Sequence, residues 1–279
     1  MRTIKTSEIV DAVANMCIKA NTELPSDVRT KLEQAMAKET SDSAKEVLRQ
    51  LLENADLAKS TKLPLCQDCG LAVLFVEVGD DVRIDGGNLR EVINEGVRKG
   101  YADGFLRKSA CDPFSRANTG DGTPAIIHFD FVPGDTLKIV YMAKGGGSEN
   151  MSRCTMLAPA QGWEGIKEFV INRVAEAGPN PCPPIVVGLG IGGTFEHASI
   201  IAKKSLMRRL DDTHPDPDIA AKEKELEDAI NRLGIGPMGL GGKTTALSVK
   251  MAVDPCHLAS LPLAVNIQCH SQRHEEVVL

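Results

Sequence analysis

The chain has 279 residues, 42% hydrophobic and 25% charged, which is typical of a globular protein with one large domain or two small ones. With 32 Lys and Arg against 38 Asp and Glu, the formal net charge of -6 excludes a general attraction to nucleic acid or to anionic lipid. No apolar run reaches the roughly 20 residues that a membrane span needs. The amphipathic start, MRTIKTSEIVDAVANM, has no signal-peptide core. We therefore expect a cytoplasmic protein.

The first third of the chain is predicted to be helical. Three segments carry apolar residues at i, i+3 and i+4 spacing and begin near Ser, Thr or Asp: 6–21, 25–39 and 42–59. LAVLFVEVG (71–79) predicts a strand, and NLREVINEGVRKGYADG (88–104) predicts a helix that ends in glycine. PAIIHFDFV and LKIVYMAK are predicted to pair as a hairpin across the turn PGD.

The second half of the chain alternates helix and strand. Helices are predicted at 161–178, 194–210 and 218–234, and strands at 183–193, 246–253 and 261–268. No internal repeat or low-complexity segment is present. The predicted fold class is α/β, a mixed α/β chain with a helical N-terminal third.

Eight cysteines raise the question of metal or redox chemistry. In TKLPLCQDCG, Cys66 and Cys69 suit a redox pair, half of a zinc site, or a site that engages only one of them. The local sequence leaves these three interpretations open. A reducing compartment favours free thiols or metal ligands over disulfides. We interpret Cys17, in the apolar stripe of the first helix, as a buried hydrophobic residue.

Two glycine-rich segments resemble nucleotide-binding motifs. GLGIGG (188–193) follows a predicted strand, opens a helix, and has Asp211 and Asp212 about 20 residues further on, as in a dinucleotide fingerprint. No clear second βαβ unit surrounds it, so a tight turn beside an anionic ligand is the alternative. GPMGLGGKTT imitates a phosphate loop, but Pro237 occupies the position of its first glycine.

Three further segments carry candidate chemistry. DPCHLASLPLAVNIQCH contains two Cys-His pairs, but it lacks the close ligand spacing of a zinc site. Cys256 and His257 are adjacent, so on a strand they would point to opposite faces and make a poor nucleophile-base pair. KGGGSEN suits either an anion-binding backbone or a plain loop. In LRKSACDP, Arg107 suits either a carboxylate or a solvated turn.

Taken together, six segments resemble one family: LCQDCG, LRKSACDP, KGGGSEN, NPCPPIVVGLGIGGTFEHA, LGIGPMGLGGKTTAL and HLASLPLAVNIQC. They resemble the α subunit of the two-subunit class I iron–sulfur fumarate hydratases, and equally the related L-tartrate dehydratase α subunits. The resemblance implies a cluster-binding domain over residues 1–279. It also implies that the catalytic C-terminal domain of the single-chain members is carried here by a separate β subunit, in a dimer of heterodimers.

The resemblance further implies a [4Fe–4S] cluster held by Cys66, Cys182 and Cys269. Three cysteines leave one iron without a cysteine ligand, and that iron can act as a Lewis acid on a substrate hydroxyl. Cys66 would then be the ligand in TKLPLCQDCG, and Cys69 would not be its redox partner.

The resemblance also supplies candidate roles around a small dicarboxylate substrate. Gln67 and Asp68 would contact the substrate, with Asp68 as the acid for the leaving hydroxyl. His257 would approach the substrate or the iron-bound hydroxyl. Arg107 would bind a carboxylate, and Gly146 would offer a backbone N–H.

The expected function is that of a hydro-lyase, the reversible hydration of fumarate to (S)-malate, a reaction of the tricarboxylic acid cycle. The alternative within the resemblance is L(+)-tartrate dehydratase. The alternative from a different class is a dinucleotide-binding oxidoreductase built on GLGIGG.

Overall fold

The computed structural model describes all 279 residues. Its helices are α1 (Thr6–Thr22), α2 (Ser26–Lys38), α3 (Asp42–Thr61), α4 (Leu89–Asp103), α5 (Gly146–Glu149), α6 (Gly162–Ala177), α7 (Phe195–Ser205) and α8 (Pro217–Asn231). Its strands are β1 (Arg2–Lys5), β2 (Leu71–Gly79), β3 (Val82–Asp85), β4 (Ile126–Val132), β5 (Leu137–Lys144), β6 (Arg153–Leu157), β7 (Ile185–Gly193), β8 (Ala246–Cys256), β9 (Leu261–Gln268) and β10 (His274–Val278). The predicted mixed α/β class and the three N-terminal helices are confirmed. No helix has both the length and the apolar composition that crossing a bilayer requires.

The chain divides into two compact units. Unit 1 comprises Met1–Pro25, Asn54–Gly146 and Arg273–Leu279. Unit 2 comprises Ser26–Glu53 and Gly147–Gln272. Each unit is assembled from segments that are distant in sequence, which is why no composition shift or linker marked a boundary.

Unit 1 is built on a four-stranded sheet in the order β10-β5-β2-β4. Strand β2 pairs in parallel with β4 and antiparallel with β5. Helix α1 contacts α4, β5 and β10, and its stripe of Ile9, Val13 and Cys17 is fully buried. The core cluster joins these residues to the apolar side chains of β2 and β5. Burial raises the pKa of the Cys17 thiol, consistent with its interpretation as a core residue.

The predicted hairpin of β4 and β5 is wrong, because β2 lies between them. Five successive residues of β2 are buried, so this strand is covered on both faces and takes neighbours on both edges. The turn between β4 and β5 instead bonds to the residues that end β2. Gly79 donates to the carbonyl of Thr136 (2.9 Å), and Gly134 donates to Oδ1 of Asp80 (2.9 Å).

Unit 2 is built on a second four-stranded sheet, in the order β6-β9-β7-β8. Strand β7 pairs in parallel with β8 and antiparallel with β9. Its core cluster combines apolar residues of β7, β8 and β9 with α6 and α8. This unit holds both glycine-rich segments of the sequence.

The GLGIGG glycines lie within β7 and allow α7 to pack closely on it. A Cβ at Gly188 would lie 2.2 Å from the carbonyl oxygen of Ala202, and one at Gly190 would lie 2.0 Å from that of Ala198. Contacts of this length do not occur, so glycine is required for the helix to approach the strand. The motif is thereby explained by packing.

The loop that imitates a phosphate site is bound to a carboxylate of its own unit. Oε2 of Glu39 accepts the backbone N–H of Lys243 (2.6 Å), and its Oε1 accepts those of Thr40 (2.7 Å) and Ser41 (3.0 Å). Burial by itself would raise the pKa of Glu39, but these N–H donors hold it below its ordinary value. The Lys243 N–H that a phosphate would need is therefore already engaged.

Candidate functional site

The two cysteines of the loop Cys66–Gly70 have different surroundings. In unit 1, Sγ of Cys66 accepts the backbone N–H of Asp68 at 3.4 Å, and the residue is half-buried. Cys69 is 1% exposed, and its Sγ accepts the backbone N–H of Arg107 at 3.2 Å. Burial raises the pKa of the Cys69 thiol, which disfavours the thiolate that a metal needs. Of the two, Cys66 has the more accessible sulfur.

The carboxylate of Asp68 is oriented by two backbone donors. Gly70 donates to Oδ1 at 2.9 Å and Gly146 donates to Oδ2 at 2.8 Å. Gly146 was expected to offer its N–H to a substrate, but the structure shows this group bonded to Asp68. Its observed contact is therefore to the carboxylate.

Gln67 and Arg107 lie at the surface of the same part of unit 1. Oε1 of Gln67 lies 3.4 Å from Sγ of Cys66. The Arg107 side chain is exposed and has no hydrogen-bond or ion-pair partner in the chain. Since the Arg107 N–H bonds to Cys69, an unengaged guanidinium is attached directly beside the loop.

Unit 2 places Cys182 and Cys269 at one end of its sheet. Cys182 precedes β7 and Cys269 follows β9, and these strands are antiparallel with Val186 opposite Gln268. The N–H of His270 donates to the Cys182 carbonyl oxygen at 3.4 Å, and its Nδ1 lies 3.1 Å from the same atom. Cys182 has a φ of 56°, a left-handed conformation that non-glycine residues adopt mostly where the surroundings impose it.

His257 lies at the opposite end of this sheet. Strand β8 runs parallel to β7, and Cys256 at its end pairs with Gly193, the last residue of β7. The nine residues of β7 span about 26 Å. The His257 ring is exposed on the turn that follows, where Nδ1 accepts the N–H of Ala259 at 3.1 Å. Unit 2 therefore brings Cys182 and Cys269 to one end, without His257.

All eight cysteines are free of disulfides. No group of three or more His, Cys, Asp or Glu side chains is gathered as a metal site anywhere in the chain. The three cysteines predicted as ligands are divided between the units, with Cys66 in unit 1 and the other two in unit 2.

Comparison with known proteins identifies the family. A sequence model described as fumarate hydratase (Fumerase) matches residues 10–278. The chain belongs to this fumarate hydratase family. The match spans most of both units and every candidate site residue described above. The chain is therefore a member of a hydro-lyase family.

The relatives named here match the chain over almost its whole length. A protein of Methanocaldococcus jannaschii named "Putative L(+)-tartrate dehydratase subunit alpha" is 44% identical over 95% of both chains. The L(+)-tartrate dehydratase subunit alpha of Escherichia coli strain UTI89 is 34% identical over 96% of this chain and 89% of its own. That of strain K12 is 33% identical over the same shares.

Sequence reasoning missed three contributors to the site of this fumarate hydratase family chain. His270, which bonds to the Cys182 carbonyl oxygen, is not among the residues predicted from the sequence, although its position next to Cys269 was a usable signal. Arg273 and Tyr101 bond to the carbonyls of the Cys66–Gly70 loop from the interior of unit 1. Neither has a motif or a periodicity that would have distinguished it.

Proposed function

We propose that the chain is the α subunit of an iron–sulfur hydro-lyase that interconverts fumarate and (S)-malate. The observation that carries the proposal is the loop Cys66–Gly70, in which an accessible thiol and an oriented carboxylate arise two residues apart. Such a loop supplies a metal ligand and a proton donor to one small volume. The family match over residues 10–278 supports this interpretation.

The donor set fits a cluster with three cysteine ligands. Cys66, Cys182 and Cys269 are half-buried thiols without disulfides, as Cys111 and Cys154 also are, whereas Cys17 and Cys69 are buried in the core. Cys154 and Cys256 donate to the carbonyls of Phe195 and Ser260. Thiolates are the usual ligands of a [4Fe–4S] cluster, and an iron without a cysteine supplies Lewis-acid chemistry to a substrate hydroxyl.

The residues of the chain divide the remaining work. The Asp68 carboxyl group gives its proton to the departing hydroxyl during dehydration and takes one back during hydration. Gly70 and Gly146 fix its direction, so the role of Gly146 is to orient Asp68. The free guanidinium of Arg107 binds a substrate carboxylate as a two-pronged donor, and the amide of Gln67 donates beside it.

A partner subunit completes the site. Dehydration of malate also removes a proton from carbon, and we assign that base and the groups for the second carboxylate to a β subunit. The relatives are named subunit alpha, which supports such a partner, and we propose a dimer of heterodimers. His257 lies at the far end of its own sheet from Cys182 and Cys269, so a role for its ring requires a site away from these two cysteines.

L(+)-tartrate is the second candidate substrate. The names of the relatives at 44%, 34% and 33% identity favour it. Tartrate is malate with a second hydroxyl group, so the same loop can serve both substrates. A hydrogen-bond partner for that hydroxyl, on either subunit, would decide between them.

The test is anaerobic production of the chain together with its partner subunit, with iron and sulfide assays. Fumarate, (S)-malate and L(+)-tartrate are then compared as substrates, with Cys66→Ser as the matched inactive control. We expect about four irons and four sulfides per chain and hydratase activity on fumarate. Activity on tartrate alone would establish the second candidate. An iron-free, folded complex that is inactive on all three would overturn the proposal.

A further inference from the structure

Three successive carbonyl groups of the Cys66–Gly70 loop are bonded to side chains in the interior of unit 1. Nη1 of Arg273 donates to the carbonyl oxygen of Asp68 at 2.5 Å. The hydroxyl of Tyr101 lies within hydrogen-bonding distance of the carbonyl oxygens of Cys69 (3.2 Å) and Gly70 (3.1 Å). Buried side chains of unit 1 therefore hold the backbone of the loop through its carbonyl groups.

The two anchors belong to one buried network. Nη1 of Arg273 also donates to Oδ1 of Asn21 at 3.0 Å, and Nδ2 of Asn21 donates to the hydroxyl of Tyr141 at 3.2 Å. The hydroxyls of Tyr141 and Tyr101 lie 3.3 Å apart. All four residues are at most 1% exposed. A polar chain thus runs through the core from the Asp68 carbonyl to those of Cys69 and Gly70.

Filling space in the core with a guanidinium is often energetically less favourable than filling it with an apolar side chain of similar volume. Burying a charge costs free energy that only well-made hydrogen bonds offset, and apolar residues of similar volume often serve stability equally well. The bonds of Arg273 that carry the argument go to a loop carbonyl and to the residue that extends the network. We therefore attribute the role of the Arg273 side chain to its effect on the conformation of the loop, not to its contribution to stability.

The direction of the Asp68 carbonyl determines what the loop presents elsewhere. With this carbonyl held toward Arg273, the Asp68 N–H bonds to Sγ of Cys66, and its carboxylate reaches the N–H groups of Gly70 and Gly146. The Arg273 guanidinium also lies near the Asp68 carboxylate, because both groups are close to Gly145. A Cβ at Gly145 would lie 3.1 Å from Oδ2 of Asp68 and 3.3 Å from Nη2 of Arg273.

We infer that Arg273 is a positioning residue, which sets the direction of the Cys66 thiol and the Asp68 carboxylate through the Asp68 carbonyl. What these two groups do once positioned rests on the proposed function, whereas the order of the loop does not. Arg273 follows the proposed ligand Cys269 by only four residues. The part of the chain that supplies the proposed ligand Cys269 therefore also supplies, four residues later, the side chain that anchors the loop of the proposed ligand Cys66.

The first test uses the isolated chain without a cluster. Amide hydrogen exchange of residues 66–70 is measured in Arg273→Lys, which keeps the charge and loses the planar fork. Arg173→Lys is the matched control, because Arg173 is a buried arginine of unit 2. We expect the loop amides of Arg273→Lys to exchange about tenfold faster or more, and those of Arg173→Lys to match the wild type.

The second test uses the complex loaded anaerobically with iron and sulfide. Release of iron to a chelator, followed by iron content and visible circular dichroism, should be about tenfold faster in Arg273→Lys than in the control. The kcat for malate should fall more than its KM changes, since the loop geometry alters while Arg107 remains. A residue that only stabilised the fold would lower the melting temperature without separating these quantities.

The outcomes are separable. Unchanged loop exchange and iron release in a folded Arg273→Lys would overturn the inference. If that variant does not fold, Arg273→Met fills a similar volume without a buried charge and without a donor to the Asp68 carbonyl. Unchanged exchange in this variant would overturn the inference equally. Faster loop exchange in a protein whose wild-type complex is inactive would support the positioning of the loop and overturn the proposed function.

Discussion

Cys66 and Asp68 are joined by a hydrogen bond of 3.4 Å from the backbone N–H of the aspartate to the sulfur of the cysteine. N–H donors to ligand sulfurs are among the contacts by which proteins tune iron–sulfur clusters. The same turn directs the Asp68 carboxylate onto two further N–H groups. The proposed ligand and the proposed acid are thus held by one short piece of backbone but through different atoms, so substitutions can test the two roles separately.

Replacing Cys66 and Cys69 by serine should therefore give opposite results. Cys66→Ser should lose the cluster, because its accessible sulfur is removed. Cys69→Ser should keep it, at a cost of about 1–2 kcal/mol in the free energy of unfolding for placing a hydroxyl in the core. Iron and sulfide per chain after anaerobic reconstitution measure the first effect, and urea unfolding measures the second. Loss of iron in Cys69→Ser alone would reverse the assignment.

Thiol accessibility gives a test that needs no cluster. In the folded chain without metal, iodoacetamide near pH 8 should modify Cys66, Cys182, Cys269 and the exposed Cys256 quickly. Cys17 and Cys69 should react at least about a hundredfold more slowly, because both are buried and burial raises the pKa of both thiols. Mass spectrometry of timed digests gives the rates. Modification after denaturation is the control, and rapid labelling of Cys69 in the folded chain would contradict its placement.

The helices and most strands were predictable from sequence because their apolar periodicity is local. The pairing of β4 with β5 was not, because the turn PGD suits a hairpin regardless of whether a third strand lies between. The apolar run that begins LAVLFVEVG indicated that β2 is buried on both faces. A strand of that kind takes neighbours on both edges, which argues against the hairpin. The division into two units was not legible, since each is assembled from distant segments.

The site was predictable where a motif carries its own geometry. The Cys66–Gly70 loop gathers its groups within five residues, so the structure brings Cys66, Gln67 and Asp68 together as expected. His257 is only 12 residues from Cys269 in sequence, but β9 lies between them and separates them by its length. Arg273 acts through long-range packing, which a single sequence does not display.

Asp68→Asn should separate catalysis from assembly. The substitution keeps the size of the side chain and one oxygen for an N–H donor, while the carboxyl proton is lost. We expect a folded complex with an unchanged iron content and a kcat about 10²–10⁴ lower. Initial rates with malate and with fumarate, on preparations matched for iron, give the measurement. Gln67→Glu is a useful neighbour control, because it keeps the Asp68 carboxyl. An undiminished kcat in Asp68→Asn would remove this residue from the acid role.

His257→Gln should leave the cluster untouched. The ring lies on an exposed turn at the far end of the sheet from Cys182 and Cys269, so iron per chain and its release to a chelator should equal those of the wild type. Cys182→Ser, which should lose iron, is the positive control. Loss of iron in His257→Gln would contradict the separation within unit 2. A loss of turnover with intact iron would mean that His257 acts in the reaction without contributing to the binding of iron.

Gly190→Ala tests whether the GLGIGG segment is packing or a nucleotide site. The added Cβ would lie 2.0 Å from the carbonyl oxygen of Ala198, so α7 must move away from β7. We expect a loss of about 3 kcal/mol or more in the free energy of unfolding, measured in urea. Gly87→Ala is the matched control, because its Cβ meets only ordinary contacts, at 3.4 and 3.6 Å, and it should change stability by less than about 1 kcal/mol.

A parallel NAD titration should show no binding to the wild type. Micromolar NAD affinity that Gly190→Ala abolishes without loss of stability would instead favour the dinucleotide interpretation, because the glycine would then be serving a ligand and not the helix.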